Sequence, residues 1–244
     1  MCQFFSLVSD PQAQKIMYCD WVVRKQILDK KLSFEPDSHT AIAACCGYNA
    51  KQEDTLNKYE YNPLTKVFIV DRIDNEIDDS ASVEKYCNEL DFAKIVPALN
   101  VKPIIHPFKI NPPKKITKQH LDWLKEWASI IDSVRASVGA SVRASVRASM
   151  RASVGASVRA SVEASVWDSV GASMRASVGA SVWDSVRASV WVYTGSFFLL
   201  KKRNSYPYQC LVELWNTGLV PSFDGKIWQL HGGKKAKILW EGKP

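Results

Sequence analysis

No apolar run in this chain reaches the roughly 18 residues that a membrane-crossing helix needs, so none is expected. Its opening, Met1 to Asp10, has no basic segment ahead of its apolar residues and meets Asp10 early. That is not the pattern of a secretory signal peptide, and a cytoplasmic protein without membrane contact is the expectation. The six cysteines, at 2, 19, 45, 46, 87 and 210, contain no Cys-x-x-Cys pair. A zinc ribbon and a disulfide framework are therefore not indicated, and reduced, mostly buried thiols are expected. The four histidines, at 39, 106, 120 and 231, are too scattered to suggest a metal site, and no cofactor is implied. Gly232-Gly233-Lys234-Lys235 is too short for a phosphate-binding P-loop, and no helix is expected after it. A solvated turn is the plainer reading, with a phosphate grip as the alternative.

What is present is enough for a folded protein: 244 residues, 46% hydrophobic and 11% aromatic. That length suits one large domain or two to three small ones. The net charge of +7 is uneven. Residues 1–131 sum to −1, residues 132–192 to +3 and residues 193–244 to +5. The basic excess thus belongs to the second half. It is either a surface for a polyanion or a solvated coat that keeps an apolar repeat in solution.

Residues 132–192 read Asp/Ala-Ser-Val-X throughout, with Met replacing Val at Met150 and Met174. In an α-helix four residues advance by about 400°, so a valine stripe drifts some 40° per repeat and winds around the helix. Ser and Val are mediocre helix formers, and Gly139, Gly155, Gly171 and Gly179 weaken a helix further. A β conformation places Val and Ala on one face and Ser and X on the other. The X positions agree with one another best at a spacing of 16 residues, with six identities in eleven pairs. The reading is a short, square parallel β-solenoid of about 16 residues per coil, whose coils lie about 5 Å apart. Arg143, Arg159 and Arg175 then form one ladder, and Trp167 and Trp183 part of another.

The repeat resembles the pentapeptide-repeat proteins, with their quadrilateral β-helix. Ala136 and Val138 keep that family's inward small-to-apolar offset, with one residue fewer per side. The resemblance implies an architecture only. The acidic DNA mimicry of some members does not transfer to a basic repeat, and an ice-binding face is broken up by Arg and Trp. Met1-Cys2-Gln3-Phe4-Phe5-Ser6 and Asp37-Ser38-His39, followed by a short-period repeat, also resemble uncharacterised phage and bacterial proteins. That likeness implies a phage origin and no activity.

The flanks complete the domain scheme. Residues 1–115 read as a mixed α/β domain. Strands are expected at 3–8 and 16–19 around Asp10-Pro11, and at 59–61 and 66–70 around Asn62-Pro63. Helices are expected after Asp20, after Asp37 or Ser38, and after Ser80 or Ser82. Residues 103–110 read as a proline-limited edge segment. A capping helix follows at 116–131. Residues 193–244 form a small, β-rich C-terminal cap, entered through an apolar strand over 191–193 and 197–200. In it a short helix at 210–215 precedes a turn at 221–225 and strands at 226–230 and 236–240. Overall the expectation is an α+β N-terminal domain, a β-solenoid and a β-rich cap.

Three functions compete. The first is a binding protein whose Arg143, Arg159 and Arg175 hold phosphates while Trp167 and Trp183 stack on bases, the ligand being a nucleic acid or nucleotide. The second is an assembly module that engages a protein partner or another copy of itself through exposed Trp. The third is enzymatic. With Met1 removed, the Cys2 α-amine activates its own thiol, and His39, beside Asp37, orients or protonates a substrate, as in N-terminal-nucleophile hydrolases. Binding is the preferred reading over catalysis, because no glycine-rich oxyanion turn accompanies Cys2.

Overall fold

The computed structural model describes residues 5–30, 35–135, 158, 160–178, 183–198 and 206–244. The chain divides into two compact units, Met1–Lys102 with Ser153–Val162, and Pro103–Ala152 with Glu163–Pro244.

Hairpin chemistry organises the first unit. Strands β1 (Phe5–Asp10) and β2 (Lys15–Met17) pair antiparallel, and so do β3 (Asn57–Asn62) and β4 (Val67–Arg72). β1 also pairs with β3, which gives the order β2-β1-β3-β4. Asp10 and Asn62 fold their side chains onto the turns, accepting from the backbone N–H of Ala13 (3.1 Å) and of Leu64 (3.0 Å). Between β2 and β3 run α1 (Trp21–Lys30), α2 (His39–Cys45) and α3 (Ala50–Glu53). Asp20 accepts from the Val23 N–H at 2.9 Å at the start of α1. Ser38 caps α2, and Asn49 and Gln52 form a reciprocal box on α3. α4 (Ser80–Glu89) and α5 (Phe92–Ile95) follow β4. Val8, Met17, Cys19, Ile27, Ile42, Ala43 and Leu56 form one core cluster here.

β3 is polar in sequence, Asn-Lys-Tyr-Glu-Tyr-Asn, yet buried along its whole length. Burial at that polarity requires partners for each group. Asn57 donates to Ile77 O and Asp79 Oδ1 and accepts from the N–H of Asp74 and Asn75, all at 2.9–3.0 Å. Lys58 reaches Asp74 at 2.8 Å. The Tyr59 hydroxyl donates to Asp79 Oδ1 at 2.5 Å, beside donors from Ser9 and Asn57.

The second unit packs helices on a small sheet of order β5-β6-β7. Its strands are β5 (Leu219–Phe223), β6 (Trp228–Gly232) and β7 (Lys237–Gly242). Helix α6 (Lys118–Arg135) is amphipathic, and Leu124, Trp127 and Ala128 enter the core. They meet Leu211 and Leu214 of α10 (Gln209–Asn216) and Leu219, Trp228 and Leu230 of the sheet. Residues 103–110 are not an edge strand. They have no regular structure up to His106, whose backbone is extended, and then make a 3-10 turn, Pro107–Lys109. The Ile105 backbone is clamped there: its N–H donates to the Tyr193 hydroxyl at 2.9 Å, and its carbonyl accepts from Trp215 Nε1 at 2.6 Å. The two rings stack, 4.6 Å apart and 10° from parallel.

The repeat corrects the solenoid expectation. Its described residues are helical, and the two sheets are antiparallel. Residues 160–166 form α7, Trp167–Gly171 a π-helical turn, Ala172–Val178 α8, and Trp183–Gly195 α9. Val162, Val166, Val170 and Met174 are all fully buried at a spacing of four. The π turn closes its hydrogen bonds five residues apart, so it under-winds the helix and sets back the drift of the valine stripe. The short helices keep the remaining drift small. Ser161 and Ser165 are buried beside the valines, whereas Ala160 and Ala164 are exposed, the reverse of the β pattern. Residues 191–193, expected as strand, belong to α9.

Candidate functional site

The Asp37-Ser38-His39 segment is placed by α2. Asp37 is fully committed: Arg24 Nη1 and Nη2 donate to its two oxygens at 2.9 and 2.5 Å, and the Ser6 N–H points at Oδ1 from 3.4 Å. Both side chains are buried, 4% and 1% exposed. Arg24 Nε also donates to the Cys19 carbonyl at 2.7 Å. Beside Asp37, the guanidinium is held above its already high ordinary range against the opposing effect of burial. His39 turns away from this pair. Its Nε2 meets the Tyr59 carbonyl at 3.1 Å, which can only accept, so Nε2 carries the proton there. Its Nδ1 lies 3.6 Å from the exposed Asp71. The structure thus gives Asp37 and His39 separate partners. Cys2 lies outside the described residues, as do Arg143 and Arg159.

Of the other expected ligand residues, Arg175 is exposed on α8. Trp183 opens α9, and its side chain is outside the described set. Trp167 is half-buried and acts as a packing element. It meets the Trp191 ring edge-on at 6.0 Å and lies across Gly171, where a Cβ would fall 2.1 Å from its Cε3. With the solenoid gone, the arginine and tryptophan ladders lose the coil that would align them.

Sequence reasoning missed a Ser–His pair in the second unit. Ser222 on β5 and His231 on β6 are 2.7 Å apart, Oγ to Nε2, and His231 Nδ1 lies 3.0 Å from the Ala236 carbonyl. The carbonyl fixes the proton on Nδ1, so Nε2 accepts from the serine. That is the bonding order of a nucleophile and its base. Ser222, however, is 0% exposed. Burial also lowers the His231 pKa, which weakens it as a base. The pair satisfies polar groups inside a sheet.

An open surface does exist on the second unit. Pro112 packs on the β6–β7 hairpin, 2.9 Å from the position of a Gly232 Cβ and 3.8 Å from that of a Gly233 Cβ. Gly233, with φ +70, turns the chain there. Lys114 and Lys115 follow Pro112 in the chain, and Lys234 and Lys235 follow Gly233. All four are exposed, as are Lys118 and Lys237. None of the six forms an ion pair among the described residues. The hairpin lysines were visible in the sequence, but the approach of residues 112–118 was not, because it depends on a contact some 120 residues away.

Among the described residues no group of His, Cys, Asp or Glu could hold a metal ion, and no helix is long and apolar enough to cross a membrane. No protein-family model, curated protein or solved structure matches the chain.

Proposed function

We propose that the protein binds an anionic polymer, by class a nucleic acid, through the lysine surface of its second unit. The observation that carries this reading is the Pro112 contact with Gly232 and Gly233, which joins two lysine runs distant in sequence. Six exposed ammonium groups, without carboxylate partners among the described residues, attract polyphosphate and release its counterions on binding. The basic excess of residues 193–244 supports the same assignment. The ligand class is the one expected from the sequence; its seat moves from the repeat to the C-terminal sheet.

The test is fluorescence anisotropy with a labelled oligonucleotide, single-stranded and duplex, at low salt. The full chain binds, and the K114A/K115A/K234A/K235A variant loses most of that affinity. Equal binding by both proteins would sink the proposal.

A second reading, assembly with a protein partner or another copy, has one specific support. Val67, Val70, Ile73 and Ile77 are exposed on and just beyond β4. Strand-to-strand pairing is opposed at this edge, because Asp71 bulges out between the Lys58–Arg72 and Tyr59–Val70 pairs. Any partner would therefore meet side chains rather than backbone. Size-exclusion chromatography with light scattering checks it: Val70→Asp would shift an oligomer toward monomer.

A further inference from the structure

We propose that the protein associates with a second copy of itself through unlike surfaces, residues 67–78 of one copy docking on residues 234–239 of the other. The contact rests on the assembly reading of β4 and supplies its partner. Residues 67–78 comprise β4 and most of the loop after it, and residues 234–239 run from the tip of the β6–β7 hairpin into β7. Of the eight exposed large hydrophobic side chains among the described residues, six lie in these two segments: Val67, Val70, Ile73 and Ile77 in one, Ile238 and Leu239 in the other. Apolar exposure is thus gathered at two places rather than scattered singly over the surface.

Charge decides how the two segments pair. Residues 67–78 carry Asp71, Asp74, Glu76 and Asp78 against Arg72, or −3. Residues 234–239 carry Lys234, Lys235 and Lys237 and no acid, or +3. Asp74 is taken up by Lys58 at 2.8 Å and Arg72 at 2.5 Å. Asp71, Glu76 and Asp78 are exposed, as are the three lysines. A contact between like segments would set −3 against −3 or +3 against +3, which repels. The unlike contact sets acids against lysines and valine and isoleucine against isoleucine and leucine. It closes as a reciprocal dimer or a ring, or continues as a chain of copies.

Both surfaces are built ahead of contact. Asn57 pins the loop after β4: its side chain donates to Ile77 O at 2.9 Å and accepts from the Asp74 and Asn75 N–H at 3.0 and 2.9 Å. Gly233 turns the hairpin at φ +70, with Pro112 against it. Neither strand offers a regular edge. Asp71 bulges from β4, and Leu239 bulges from β7 between the Leu230–Trp240 and His231–Ile238 pairs. Side chains rather than backbone therefore make the contact. Lys234 and Lys235 also belong to the proposed nucleic-acid surface, so an oligonucleotide competes with the second copy.

The experiment is light scattering on the full chain over a dilution series, with no nucleic acid present. The expected weight-average mass at low salt exceeds the 27.4 kDa of one chain. It falls in about 1 M salt, where the screening length is about 3 Å. The D71K/E76K variant alone and the K234E/K235E variant alone each return the mass to one chain. An equimolar mixture of the two recovers the parent's mass, because each altered segment then meets its opposite charge, and that recovery shows both variants folded. A parent mass of one chain at every concentration would overturn the proposal and leave the nucleic-acid reading to its own titration. Loss of association in D71K/E76K but not in K234E/K235E would overturn it while leaving β4 an assembly surface for another partner. A mixture that stays at the mass of one chain would overturn it as well.

Discussion

Arg24 and Asp37 show what a buried charge demands. Each is taken from water, and the pair holds because two guanidinium bonds, the Ser6 N–H and the Cys19 carbonyl replace the lost hydration. Asp37→Asn keeps the shape and removes the countercharge. It should cost about 3 kcal/mol or more, seen as a lower urea midpoint; an unchanged midpoint would show that the pair is dispensable. Histidine gives a second prediction. His106 Nδ1 accepts from the Phe108 N–H at 3.2 Å, and His120 Nδ1 from the Thr117 N–H at 3.0 Å. Protonation would set donor against donor at both sites. Burial lowers the pKa of His106, with Lys109 adding to it, and lowers those of His120 and His231. The unfolded chain therefore binds protons that the folded one refuses. Stability is fully present above about pH 6.5 and is lost as pH falls below it. Urea midpoints at pH 7.5 and 5.5 should differ, and less so in the H106N/H120N variant. Equal differences in both proteins would assign the loss to carboxylates instead.

At the scale of elements, the hairpins and caps were legible because their chemistry is local. Asn62-Pro63, Asp10-Pro11 and Gly232-Gly233 marked turns that exist, and Ser38 marked a cap that exists. What the turn residues concealed was strain. Gln14, Lys66 and Ala236 take positive φ values of 52°, 60° and 46° at the ends of three of the four hairpin turns among the described residues. Glycine accepts that region freely, so Lys66→Gly and Ala236→Gly should each stabilise by about 0.5–1 kcal/mol, read as a raised Tm. A fall in Tm would mean that the replaced side chains contribute more than the strain costs. The repeat was misread because a period of four suits neither a long straight helix nor only a strand. A π turn reconciles it with a helix, and nothing in the spacing of the X residues announces one. Gly171→Ala tests this turn. Its Cβ would collide with the Trp167 ring and push it off Trp191. The expected cost is about 1–3 kcal/mol with a changed tryptophan emission; no change in either would remove the packing role given to Gly171. Pro221 misled in the other direction: it suggested a turn but lies in β5, an edge strand of its sheet, where a missing N–H is tolerated.

The whole molecule is two compact units, and its charge follows them only in part. The basic excess of residues 193–244 was legible from composition, and it is the feature from which a polyanion partner is proposed. The seat of that charge was not, because it depends on where residues 112–118 return to the sheet. Salt dependence addresses this surface most directly. If the lysines displace counterions, the logarithm of the duplex association constant falls linearly with the logarithm of salt concentration, with a slope of up to about −5 for six contacts. The K114A/K115A/K234A/K235A variant should flatten that slope by about one unit per lysine removed. A slope near zero in the parent chain, or one that the variant leaves unchanged, would contradict the assignment of this surface to nucleic acid.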